Sequence, residues 1–359
     1  MSVIVNKDSK IYVFCPANCA TGGPELLHQF VYILRNNGFN AFMYYIPNNK
    51  LKPVHCSYEI YNVLYVNEIE DNSKNILVMP EMYSYIKMSE NYVNIKKIIW
   101  WLSVDNFFIT RDLSYLKTAF KINLYRFVDR VRIRLFHSYK FDLPKYVLNK
   151  NKNFRNDQDK LLLSPVMHLV QSYYAYETLI HMGVSKDKIL FLSDYLNDVF
   201  LNNVINYNDR KDIVLFNPTK GRPTTENIIK HSKNINFIAI ENMSREEVFS
   251  LLNEAKVYID FGNHQGKDRL PREAALSGCC IITGERGAAK NKYDIEIPDK
   301  YKFDVDKVDM NDIIHCISDC IENYNKNILN FEKYRMKILS EKDFFVKTVS
   351  EIFTFQESN

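Results

Sequence analysis

No apolar run in this chain approaches the length a helix needs to cross a bilayer, which excludes a membrane span of that kind. The opening residues, Met1 to Lys10, are polar and lack the apolar core of a secretory signal, so the expected compartment is the cytoplasm. An excess of one charge is missing too. The formal net charge is +4 over 359 residues, too small to imply nucleic-acid binding by itself. No repeat at solenoid periods is present. The seven cysteines include Cys15 and Cys19, Cys279 and Cys280, and Cys316 and Cys320, but no pair has the gap and histidine partners usual in zinc sites. Buried free thiols in a reducing compartment explain them better. Glycine is scarce while Tyr, Phe, Asn, Lys and Ile recur everywhere, a bias that reads as coding preference and points to no function.

What is present is a globular balance, 46% hydrophobic and 25% charged, on a chain long enough for two domains. Lys10 to Cys15 reads as a short strand, Pro24 to Asn36 as a helix with a broad apolar face, and Ala41 to Ile46 as the next strand. Strand, helix and strand in about 35 residues form a βαβ unit, which implies a parallel sheet. Further strands are expected at Asn75 to Pro80, Lys97 to Leu102, within Leu161 to Gln171, and at Ile189 to Leu192, with a helix at Tyr173 to Met182. A second α/β series opens at Asp212 to Phe216 and continues through strands at Ile235 to Ile240, Val257 to Phe261 and Cys279 to Thr283. Its helices are expected at Arg245 to Glu254 and from Arg272 to Ser277, with closing helices near Asn311 to Tyr324 and Glu341 to Phe353. The polar stretch Asn202 to Lys211 is the expected linker. The expected domains are therefore residues 1–200 and 201–340, with 341–359 packing back on the first.

Ligands of such domains sit beyond the carboxyl ends of the strands. The richest loop there runs from Asp260 to Ala274, where Lys267 and Arg269 place two cations beside a helix start suited to a diphosphate. Gly262 and Gly266 permit close backbone approach, and Glu273 could accept from a ribose diol. The bland alternative is a solvated charged loop. After the Asp212 strand come Thr219, Lys220 and Gly221, a second phosphate contact or only a turn with an exposed lysine. Gly22 and Gly23 offer bare amides at the first helix start, and Gly287 with Ala288 permits approach after the Cys279 strand. Arg286 there is a phosphate partner or a surface residue. Between Arg111 and Arg155 basic residues such as Lys117, Arg126 and Arg130 alternate with aromatic and aliphatic ones. That stretch could dock on anionic lipid or simply pack on its own domain.

Glu241 to Ala289 resembles the sugar-donor half of GT-B glycosyltransferases, especially the large retaining family with sucrose synthase-like and lipopolysaccharide enzymes. The likeness rests on Ala255-Lys-Val-Tyr-Ile-Asp260 followed by Glu273-Ala-Ala-Leu-Ser-Gly278, and on Thr21-Gly-Gly-Pro-Glu25. It implies an α/β, GT-B fold: two Rossmann-like domains whose parallel sheets face each other across a cleft. It also implies transfer of a sugar from a nucleotide-sugar to a glycan or lipid-linked acceptor, in bacterial-type capsule or lipopolysaccharide synthesis. In that family two glutamates flank seven residues; Glu273 matches the second, and the first falls on Gln265. Asn242 and Met243 lie in the loop expected to meet the base, and His264 could touch phosphate or sugar. Lys220, Lys267 and Arg269 would stabilise the departing diphosphate in place of a metal or other cofactor. If the reaction inverts, the general base would be Glu81, Asp105 or Glu25, each near a strand end, although a helix cap or solvated carboxylate is as good an account of each. A nucleotide-sugar 2-epimerase and a non-catalytic sugar-nucleotide scaffold are the competing readings.

Overall fold

A computed structural model describes residues 2–114 and 166–356. They form two compact units, one of residues 2–114, 166–195 and 342–356, the other of 196–341.

The first unit opens with a three-residue strand β1 (Val3–Val5) and then β2 (Lys10–Pro16), whose five residues Ile11 to Cys15 are all buried. Burial on both faces is what a central parallel strand requires, and it explains the unbroken apolar run. Helix α1 (Gly22–Asn36) buries Leu26, Leu27, Phe30, Val31, Ile33 and Leu34. The chain turns out of it at Gly38, whose φ of 86° favours glycine. β3 (Asn40–Ile46) follows, then β4 (Ile76–Pro80), α2 (Tyr83–Ser89), β5 (Lys96–Trp101), α3 (Val104–Ser114), β6 (Met167–Val170), α4 (Tyr173–His181) and β7 (Ile189–Phe191). Every pairing is parallel in the order β3-β2-β4-β5-β6-β7. The order reverses between β2 and β4, so a crevice opens at their carboxyl ends.

The second unit contains α5 (Asp198–Leu201), β8 (Lys211–Phe216), α6 (Arg222–His231), β9 (Asn236–Ala239), α7 (Arg245–Glu254) and β10 (Ala255–Asp260). It continues through α8 (Arg269–Leu276), β11 (Cys280–Gly284), β12 (Lys302–Phe303), α9 (Met310–Glu322) and α10 (Tyr324–Asn327). Its sheet, β12-β11-β10-β8-β9, is again wholly parallel. Ser244 and Glu247 cap α7 reciprocally, which fixes its start where the sequence places it. The end of the expected linker is not loose. Arg210 is buried and donates to the carbonyls of Asn206, Leu252, Ala255 and Ser277.

Helix α11 (Glu332–Ile352) and strand β13 (Phe353–Phe355) are the last elements of the described residues, and β13 pairs in parallel with β1, Val3 opposite Phe353. Phe355 stacks on Phe39 with ring centroids 4.3 Å apart.

The structure corrects several expectations. Helix α8 begins at Arg269 rather than Arg272, because Pro271 falls in its first turn, where a missing N–H costs nothing. Helix α11 begins at Glu332, nine residues ahead of the expected Glu341. Neither β1 nor β13 is anticipated, since three residues are too few for a pattern. Cys15, Cys279, Cys280 and Cys320 are buried, but Cys19 and Cys316 are half-buried and Cys56 is exposed. The basic stretch beyond 114 lies outside the described residues; Arg111 itself is buried over the rings of Phe107 and Phe108. Among the described residues no helix is long and apolar enough to cross a membrane.

Candidate functional site

In the second unit the loops after β8, β10 and β11 are pressed together, and glycine makes this possible. Gly221 has φ 60°, and a Cβ there would lie 2.3 Å from the backbone carbon of Phe261. Gly287 has φ 58°, and a Cβ there would lie 2.1 Å from the carbonyl oxygen of His264. No side chain fits at either position. The β10 and β11 loops are also joined as a short ladder: the Ala288 amide donates to the His264 carbonyl at 2.8 Å, and the His264 amide to that of Arg286 at 3.4 Å. Gly266 and Ala288, two other positions picked from the sequence, are buried within this junction.

The charged groups follow from that packing. Lys220 reaches Asp268 with its Nζ 2.6 Å from Oδ2. His264 is fully buried, with Nδ1 3.1 Å from Asp268 Oδ2 and Nε2 3.6 Å from Asp260 Oδ1. Asp260 also accepts from the Gly262 amide at 2.9 Å and from the Tyr258 hydroxyl at 3.2 Å. Burial alone would depress the imidazole, but the carboxylates of Asp260 and Asp268 outweigh it and raise its pKa above the ordinary histidine value. Burial likewise opposes ionisation of Asp268, yet Lys220 and His264 hold that carboxyl well below the usual range.

Asp260, His264 and Asp268 lie close enough to suggest a metal centre, their nearest atoms all within 4.8 Å. The geometry argues otherwise. The two carboxylates lie nearest opposite ring nitrogens, neither of which makes a hydrogen bond, whereas one metal ion would take one nitrogen, and Lys220 already holds Asp268.

A second ionic group lies behind the same loop. Glu341 receives Lys267 Nζ at 2.5 Å and Arg272 Nη1 at 2.7 Å, all three being buried. Arg272 further donates to the Lys267 carbonyl at 3.0 Å. Lys267, expected to meet phosphate, is thus tied inward to a carboxylate. Arg269 and Glu273, one helical turn apart at the start of α8, are half-buried. Thr219 folds its hydroxyl onto Asn217 Oδ1 at 2.7 Å, a local turn. Asn242, with φ 54°, and Met243 are exposed just before α7. Arg286 is 3.4 Å from Asp306, an ion pair rather than a bare surface group.

In the first unit Gly22 and Gly23 open α1 at the β2 end and are half-buried. The candidate bases are all inside. Glu25 accepts from Tyr61 at 3.3 Å. Asp105 accepts from Tyr174 at 2.8 Å. Glu81 accepts from the Leu102 amide at 3.0 Å and Asn106 at 3.4 Å, and burial pushes its pKa up to about 7. His28, unremarked in the sequence, lies one turn beyond Glu25. It sits 2.7 Å from the Pro24 carbonyl and 2.8 Å from the Tyr45 hydroxyl, and burial pushes it down to about 4. Sequence reasoning also passed over Asp260, Asp268 and Glu341. The first two carried a signal, spaced four residues either side of His264; Glu341 carried none, being 69 residues from Arg272.

Two α/β units, each built on a parallel sheet with its functional loops beyond the strand ends, make this a GT-B fold, the fold of nucleotide-sugar glycosyltransferases. HepE from Anabaena, solved with UDP-glucose, superposes with a TM-score of 0.56 at 9% identity over 95% of this chain and 97% of that one. The lipopolysaccharide outer core galactosyltransferase WaaB, in its apo form, gives 0.53 at 9% identity over 94% and 99%. In sequence, an alpha-1,6-glucosyltransferase of Actinobacillus pleuropneumoniae serotype 7 (strain AP76) is 23% identical over 287 residues, 77% of this chain and 73% of the relative. Against TarM the TM-score is 0.48 and the chain spans 56% of that structure, too slight a likeness to build on. No protein-family description matches the sequence.

Proposed function

We propose that this chain is a glycosyltransferase that moves a hexose, glucose in the first instance, from a nucleoside-diphosphate sugar to the hydroxyl of a surface glycan or its lipid-linked precursor. The observation that carries the reading is the glycine-dependent convergence of the β8, β10 and β11 loops, which brings Lys220 onto Asp268, the cap of the helix that carries Arg269 and Glu273. A glucosyltransferase relative and a fold neighbour solved with UDP-glucose support the choice of donor.

In this reading the acceptor oxygen forms a bond to the anomeric carbon as the bond from that carbon to the diphosphate breaks, and the hydroxyl proton passes to an oxygen of the departing diphosphate. Lys220 and Arg269 stabilise the negative charge that builds on the diphosphate, the dominant catalytic effect, with no metal assigned. Glu273 accepts from the ribose, and Asn242 and Met243 flank the base. The amides of Gly22 and Gly23 meet the sugar or the acceptor. A cytoplasmic location belongs to the same reading, since a nucleotide-sugar donor is available there. Contact with anionic membrane through residues 111–155 rests on their composition alone.

The test is a thermal-shift and calorimetric screen with UDP, GDP, CDP and their sugars, followed by measurement of free nucleotide and free sugar. One nucleotide should stabilise the protein, Glu273→Ala should remove that stabilisation, and slow donor hydrolysis should appear. A changed sugar without nucleotide release would mark an epimerase. Binding without turnover would mark a scaffold, and no binding in any case would end the proposal.

A further inference from the structure

We infer that His264 is a positioning residue: a buried imidazolium, bracketed by Asp260 and Asp268, that leaves the ammonium of Lys220 available to a diphosphate. The inference rests on the donor reading of the same site and deepens it. Its basis is geometric. Four charged side chains from two segments, 260–268 and the loop after β8, form one chain of contacts, Asp260 to His264 at 3.6 Å, His264 to Asp268 at 3.1 Å, and Asp268 to Lys220 at 2.6 Å. Only the last pair reaches the surface, the Lys220 side chain being 31% exposed and that of His264 fully enclosed.

Charge counting gives the mechanism. Two carboxylates against one ammonium would leave a net negative site, poorly suited to receive an anion. A protonated His264 balances the second carboxylate, so the group is neutral overall and Lys220 can share its ammonium protons between Asp268 and a phosphate oxygen. The ring is held for this task. Its backbone is laddered to Arg286 and Ala288 of the β11 loop, where Arg286 pairs with Asp306. The charged groups that act on the ring include Asp260 at the end of β10, Asp268 at the cap of α8 and Lys220 from the β8 loop. Tyr258 stands behind Asp260 as a neutral hydroxyl, its pKa pushed further up by burial. The imidazole pKa is raised above its usual value by the two carboxylates despite burial. The sign follows: affinity for a diphosphate is full while His264 is protonated and falls as pH rises through its titration.

The experiment has two readouts on the full chain. First, nitrogen-15 NMR of the histidine rings follows His264, identified by the resonances that Asp268→Asn displaces. Both ring nitrogens should stay protonated to higher pH than in an ordinary histidine, and Asp268→Asn should lower that titration. A His264 ring already neutral below the ordinary histidine range would overturn the inference, whether or not any variant folds well. Second, calorimetry compares UDP with uridine in the wild type and in His264→Gln. The variant should bind UDP roughly tenfold more weakly, bind uridine unchanged, and lack the pH step. Unaltered UDP affinity in the variant at every pH would overturn the inference alone. Failure of the wild type to bind any nucleoside diphosphate would overturn the donor reading and this inference together.

Discussion

The two units handle buried charge in opposite ways. In the first, Glu81 is enclosed and answered by neutral donors, a backbone amide and an asparagine. In the second, Asp268 and Glu341 are answered by full cations, Lys220 with His264 and Lys267 with Arg272. Neutral donors leave a carboxyl free to take up a proton as pH falls, whereas cations hold it ionised. A strand-end position thus gives a carboxylate no fixed role; the charge of its neighbours assigns one.

The sharpest way to break this contrast is Glu341→Gln, which removes a carboxylate shared by two buried cations. It should cost about 3–5 kcal/mol of unfolding free energy. Urea denaturation would measure it, and a loss below about 1 kcal/mol would mean the pair is hydrated rather than clamped. The next test works in the opposite direction. Glu81 titrates near 7 in the folded state against an ordinary 4.5, so its contribution is fully favourable below the lower value and is lost as pH rises through the upper one. Glu81→Gln should therefore stabilise at pH 8 by at most about 3 kcal/mol and leave stability at pH 4 nearly unchanged. Equal effects at both pH values would show that the carboxyl ionises normally. The smallest effect is expected where the Asp260–His264–Asp268–Lys220 cluster reaches the surface. Lys220→Ala should lower UDP affinity by about 10- to 100-fold, the worth of a charge-assisted hydrogen bond. Isothermal calorimetry with UDP decides it, and unchanged affinity would move the phosphate contact to Arg269.

Much of the fold was readable because parallel strands buried on both faces announce themselves as apolar runs. Ile11 to Cys15, Ile76 to Met79 and Val257 to Ile259 do so plainly, and the glycines after β8 and β11 mark where the loops must touch. The start of α11 was missed because Glu332 to Ser340 mixes polar and apolar residues without a clear stripe. Lys267 illustrates the limit for the site. A cation beside a helix start looks like a phosphate ligand in sequence, and nothing nearby in the chain reveals that Glu341 waits for it.

The amino-acid order by itself determined the alternation of strand and helix, the parallel pairing it forces, and the loops where chemistry must gather, since all three depend on neighbours within a few residues. Tertiary structure alone decided which charged groups meet. Ion pairs such as Lys220 with Asp268, or Arg272 with Glu341, join positions 48 and 69 residues apart. At such separations a contact exists only after the sheet has formed and brought its strand ends together.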